Sequence, residues 1–189
     1  MRSFSVTFIT YIAPSLGYPL NVEIAMPKTT KPTVALTPSV EEGPYYKPGS
    51  PERTVIAAAG TPGTRLTVRG KVLNIKGHPI PNAWLDFWHA DGNGAYDNEG
   101  LNLRGHQYTD KDGRYRLETV RPHQYLFRAP HIHAKVRAAK DSPVFTTQLF
   151  FPGEKRNEKD PIFEARTLME IVDTPGGQKA TFDFVVEED

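Results

Sequence analysis

Residues 127–138, FRAPHIHAKVRA, place two of the chain's six histidines two positions apart, directly behind an arginine and a proline. Imidazole titrates near neutrality and is the commonest metal ligand, so the pair could serve proton transfer or hold an ion. In extended backbone, residues i and i+2 project from one face. His131, His133, Lys135 and Arg137 then share one side of a strand, and Ile132, Ala134 and Val136 share the other. The apolar side has a core to face. The polar side reads in two ways: as a solvated face that happens to carry histidines, or as half of a site completed by donors from elsewhere in the chain.

Two tyrosines stand where such donors could come from. Tyr96 lies in the glycine-rich connection WHADGNGAYDNEG, and Tyr125 lies in RPHQYLFRAPHIH, six residues ahead of His131. A loop tyrosine taken singly is a packed aromatic with its hydroxyl in water. As a phenolate it is a hard anionic oxygen donor, which a highly charged cation can stabilise against an ordinary pKa of about 10. Other metal chemistries find less support. A cupin-like site wants a glutamate shortly after H-x-H, but AKVRAAK follows and Asp141 is the next carboxylate. A three-histidine zinc site would need His89, His106 or His123, which stand in no supporting context and read as surface or turn residues. The chain has no cysteine, which removes thiolate ligands, thiol catalysis and disulfides.

The elements that must position these residues are strands. From residue 64 onward, short alternating runs are separated by Gly, Pro, Asn and Asp, the pattern of an antiparallel β-sandwich. Seven strands are predicted, in TRLTVRGKVL, NAWLDFWHA, GRYRLETV, PHIHAKVRA, VFTTQLFF, ARTLMEIVD and ATFDFVVEE, with turns at KGHPIPN, TDKDG and TPGGQ. Trp84 and Trp88 are read as core. At 189 residues the chain is read as one domain, residues 39–189, preceded by an extension or arm over residues 1–38. Prolines at 14, 19, 27, 32 and 38 keep that arm from forming a regular helix or central strand. Its first residues, MRSFSVTFITYIAPSLG, have the outline of a signal peptide, interrupted by Ser3, Ser5, Thr7 and Thr10; Met26 is an equally natural start. The cytoplasm is the default compartment. A net charge of +1 with mixed signs leaves no footprint for nucleic acid or a membrane surface.

Six ordered segments carry a resemblance: EGPYY (42–46), the W-x-A to G-x-Y stretch (88–96), TDKDGRY (109–115), RPHQY (121–125), RAPHIH (128–133) and TTQLFF (146–151). Over about residues 35–189 the chain resembles the intradiol ring-cleavage dioxygenases, and its compact size is similar to the protocatechuate 3,4-dioxygenase type. The resemblance implies a prealbumin-like all-β sandwich with long active-site loops and a mononuclear non-haem Fe(III) held by Tyr96, Tyr125, His131 and His133. It further implies cleavage of a catecholic ring between its hydroxylated carbons by dioxygen, giving a cis,cis-muconate-type product from protocatechuate or another substituted catechol. Tyr125 would be the ligand that leaves and takes up a substrate proton. Arg128 would stabilise charge developing on the ring, Gln148 would bond that arginine, and Gly43, Pro44 and Tyr45 would line the substrate pocket. The implied partners are a small aromatic diol and dioxygen, in a homo-oligomer or with a related subunit. The same G-x-P-x-x-N-A turn and T-D-x-x-G-x-Y hairpin also resemble prealbumin-like modules that only bind, and that rival gives the histidines no role.

Overall fold

Alternation of apolar and polar residues along short runs builds two stacked sheets. The computed structural model describes residues 34–187, so of the arm expected over residues 1–38 only 34–38 fall within the described chain. The described strands are β1 (Arg65–Asn74), β2 (Trp84–Trp88), β3 (Arg104–Tyr108), β4 (Arg114–Val120), β5 (His131–Arg137), β6 (Phe145–Phe150), β7 (Glu170–Thr174), β8 (Gly177–Thr181) and β9 (Phe184–Val186). One sheet has the order β4-β1-β8-β7, with β9 also on β1; the other runs β3-β2-β5-β6. Their inner faces form one apolar core. Leu66, Val68, Val72, Leu117 and Phe184 of the first meet Leu85, Phe87, Ile132, Ala134, Val136 and Leu149 of the second.

Three departures from the sequence reading have physical causes. β3 (RGHQY) lacks apolar alternation because Gly105 makes room instead of filling it: a Cβ there would meet Ile56 Cγ2 at 2.6 Å. In ARTLMEIVD only the second half is strand, since Ala165–Thr167 is a 3-10 turn in which the Glu164 side chain accepts from the Arg166 N–H. ATFDFVVEE is split between β8 and β9, both parallel to β1, so the first sheet is mixed and not purely antiparallel. At the break, Phe182 O lies 1.7 Å from where a Cβ of Gly70 would stand. The Asp183 carboxylate there accepts the Lys71 N–H at 2.8 Å. The kink fits because residue 70 has no side chain.

The outer face of the second sheet is the one that matters for chemistry, and it is roofed. Residues 42–53 run across it. Buried Asp86 of β2 accepts from Ser50 Oγ at 2.7 Å and from the Tyr46 hydroxyl at 3.2 Å. Burial raises the Asp86 pKa above the usual carboxylate value, and those two hydrogen bonds oppose the rise. Lys135 pairs with Glu42 and places its ammonium 3.6 Å over the Tyr46 ring. Trp84 and Trp88 belong to this roofed face and not to the core between the sheets. Leu85 and Phe87 occupy the inward positions of β2, so period two turns both indoles outward. Trp84 is half-buried beneath Arg137, and Trp88 is buried.

Candidate metal centre

β5 turns Ile132, Ala134 and Val136 into the core and presents His131 and His133 to the roofed face, where both are buried. Their Nε2 atoms stand 3.0 Å apart. His131 Nδ1 lies 2.6 Å from Ala129 O; a carbonyl can only accept, so the proton is on Nδ1 and the Nε2 lone pair is free for a ligand. His133 is opposite Trp88 in the β2–β5 register, and the two rings stack at 4.6 Å with 11° between planes. Burial drives both imidazoles toward the neutral form: it pushes the His131 pKa down to about 4, and for His133 the neighbouring His131 adds to a larger drop. Neutral imidazole is the form that binds a cation.

Two loops bring phenols to this pair. After β2 the chain turns through Gly94, whose φ of +80° and position against the next loop both exclude a side chain: a Cβ would come within 2.2 Å of Gln124 O. That approach sets Tyr96 beside Tyr125. Asp97 fixes the exit of the loop by accepting the backbone N–H groups of Gly100 at 2.7 Å and Asn102 at 2.8 Å. The Tyr96 hydroxyl is then 3.1 Å from His133 Nε2. After β4, Tyr125 opens a tight turn closed by the Arg128 N–H on Tyr125 O at 2.8 Å. Its ring meets that of Tyr96 edge-on at 5.4 Å, and its hydroxyl contacts that of Tyr45. Tyr45 in turn stacks on Tyr96 at 4.2 Å. Burial raises the Tyr96 pKa, while the Arg128 and Arg104 charges act to lower it.

Donor atoms bound to one first-row ion at about 2.0–2.1 Å and at right angles lie about 3 Å from each other. The separations of 3.0 Å between the imidazoles and 3.1 Å from Tyr96 to His133 fit such sharing. The chemistry of the set fits too, with two neutral nitrogens and a hard phenolic oxygen. Among the described residues no cluster of three His, Cys, Asp or Glu offers a competing cation site.

The remaining sequence candidates fall around this cluster. Arg128 gives Nη2 to Gln148 Oε1 at 2.5 Å, and Gln148 is opposite His133 in the β5–β6 register. Gly43 passes under His133, its notional Cβ 3.8 Å from His133 Cε1; Pro44 is exposed and Tyr45 half-buried. His89, read from sequence as surface or turn, is fully buried instead. Its Nε2 meets Thr119 Oγ1 at 2.7 Å and its Nδ1 meets Ala90 O at 2.6 Å, because the residue follows β2 inward toward β4. His106 is half-buried with Nδ1 2.7 Å from Ser50 O, and His123 is exposed.

Three residues at the site escaped the sequence reading. Trp88 reads as core from the sequence, whereas its cross-strand register with His133 sets it beside the imidazole. Arg104 is buried, and its guanidinium joins the roofing segment to the Tyr96 loop by donating to Tyr45 O at 2.6 Å and Asp97 O at 3.2 Å. Asp160, in EKDPIF, receives the Arg128 Nε–H at 2.9 Å. Neither has a sequence signal, since the contacts that place them at the site, Arg104 to Tyr45 and Asp160 to Arg128, span 59 and 32 residues respectively.

The fold and the cluster together define a class: a β-sandwich whose roofed face gathers imidazole and phenol donors under two long loops. Sequence comparison then gives the family. The profile of the family described as Dioxygenase matches residues 41–187, and the chain belongs to the intradiol ring-cleavage dioxygenases. It is 30% identical over 183 residues to 6-chlorohydroxyquinol 1,2-dioxygenase of Cupriavidus pinatubonensis, covering 83% of this chain and 64% of that enzyme. It is 32% identical over 119 residues to the protocatechuate 3,4-dioxygenase beta chain of Burkholderia cepacia, covering 54% of this chain and 51% of that one. The chain thus spans less than two thirds of the length of these two relatives. Among solved structures, the dioxygenase domain of a dioxygenase carbohydrate-binding protein fusion from Streptomyces sp. SirexAA-E superposes with a TM-score of 0.78 at 46% identity, over 81% of this chain and 99% of that one.

Proposed function

We propose that this chain is an Fe(III)-dependent intradiol dioxygenase that opens a substituted catechol between its hydroxylated carbons with dioxygen, protocatechuate being the first substrate to try. Residues 39–189 form its catalytic domain and residues 1–38 an extension, in a homo-oligomer or with a related subunit. The observation that carries the reading is the convergence of Tyr96, His131 and His133 at about 3 Å, with the Tyr125 ring beside them. These four side chains would hold the ion.

Bound there, ferric iron supplies a Lewis acid that draws electron density from a catecholate and readies the ring for dioxygen. The rest is work for the chain's own groups. As the phenolate that the cation would stabilise, the Tyr125 oxygen would accept a proton from the diol and become a neutral phenol, with the Tyr45 hydroxyl as its hydrogen-bond partner. Arg128 holds a permanent positive charge, half-buried, against negative charge growing on the ring. Trp88 and the segment 42–46 exclude water from the imidazole side, which strengthens every charge interaction within.

Oxygen uptake with a panel of substituted catechols, read together with mass analysis of the product, tests the proposal. An acyclic product containing both atoms of dioxygen is expected. A protein that binds catechols, or nothing at all, without consuming oxygen is the binding-module rival.

A further inference from the structure

The segment that follows β6 makes a detour whose purpose is not explained by the core. Asn157 ties it to the end of the strand through Nδ2 on Phe151 O at 2.8 Å, a 3-10 turn spans Asn157–Lys159, and Asp160 ends that turn. The side chain of Asp160 is completely buried. One carboxylate oxygen accepts the Ala129 N–H at 2.8 Å, the other accepts the Ile162 N–H at 3.0 Å, and both lie 2.9 Å from Arg128 Nε. A buried carboxylate with this many donors is held in one place and holds its partners there.

The consequence reaches Gln148. Arginine has no acceptor, so the Gln148 amide must turn its oxygen to Arg128 Nη2 and its NH2 away. That NH2 is buried with no partner, on the β6 position paired with His133. An orphaned buried donor costs free energy unless something completes it.

We propose that Asp160 is the positioning residue of this site: its carboxylate fixes the Arg128 guanidinium and, through Arg128, the orientation of the Gln148 amide. This rests on the ring-cleavage reading for its effect on turnover, but the anchoring itself does not depend on that reading.

The test is a double-mutant cycle of Asp160→Asn and Arg128→Met in the iron-loaded full chain, read by kinetics, visible spectrum, iron content and thermal unfolding. Asp160→Asn keeps the size and removes the charge. It is expected to lower kcat by at least about tenfold with KM held within about threefold, the range for residues that orient a reacting group. Iron content and visible spectrum should not move. In the Arg128→Met background the same replacement should change kcat by less than about twofold, and its Tm effect should shrink in parallel, because the two residues act as a unit. Equal losses in both backgrounds, a displaced spectrum, or wild-type kcat in Asp160→Asn would overturn the proposal. Should Asp160→Asn alone fail to fold, the double variant decides. Removing both charges should restore folding, and failure to do so counts against the pairing. If the wild-type chain opens no catechol, the functional reading falls, and the Tm cycle alone judges the anchor: non-additive shifts support it, additive shifts reject it.

Discussion

Arg128 shows how a single charge can be made useful. Its guanidinium is planar, always protonated and rich in donors, so it stays where its acceptors put it. Here Asp160 takes Nε and Gln148 takes Nη2. A charge locked in that way costs no reorganisation as negative charge develops beside it, which is why such groups act on turnover more than on binding. Arg128→Met should therefore lower kcat by about 10²–10³-fold with a much smaller change in KM, measured by steady-state oxygen uptake. A loss confined to KM would mean the guanidinium binds substrate uniformly and does not favour the transition state.

At the scale of elements, the site depends on two loops approaching more closely than side chains permit. Gly94 makes this possible with a left-handed φ and no Cβ against Gln124 O. Gly94→Ala combines backbone strain of about 1–3 kcal/mol with a clash that the two loops relieve by moving apart. We expect a lower Tm and a protein that loses iron readily, because Tyr96 and Tyr125 ride on the separated loops. Unchanged iron retention in a destabilised variant would show that the phenols are placed by something else. This is also where sequence legibility ends. The strand period placed His131 and His133 on one face and the apolar residues on the other, as found. It could not say that residues 42–53 roof that face, since nothing local in Tyr46 or Ser50 points to Asp86. The same limit hid Asp160 and Arg104. Their roles come from tertiary closure and have no periodicity. β3 was missed because its interior position is a glycine, and the last predicted strand was split by a kink that another glycine, Gly70, accommodates.

For the molecule as a whole, stability and the site share one debt, which is the set of buried imidazoles. His89 is not among the proposed ligands, yet burial pushes its pKa down to about 4 from an ordinary 6.5. The folded value is the lower one, so between these limits the unfolded chain binds the proton and the folded chain does not. Stability is then fully present above pH 6.5 and is lost as the pH falls toward 4. Urea unfolding of the iron-free protein should show a midpoint that is flat above that range and drops below it. His131 and His133 contribute in the same direction, so His89→Asn should flatten the drop in part while lowering the plateau, as Thr119 Oγ1 loses its partner. A midpoint independent of pH through this window would contradict the assignment of three neutral buried histidines.

The proposed chemistry requires phenolic oxygen and imidazole nitrogen to hold one ferric ion. The most direct measurement is iron content together with the visible absorption spectrum of the purified chain and of Tyr96→Phe. About one iron per chain is expected, with a tyrosinate-to-iron charge-transfer band that is displaced or lost in Tyr96→Phe. A colourless protein after loading with iron, or a band indifferent to Tyr96→Phe, contradicts that chemistry.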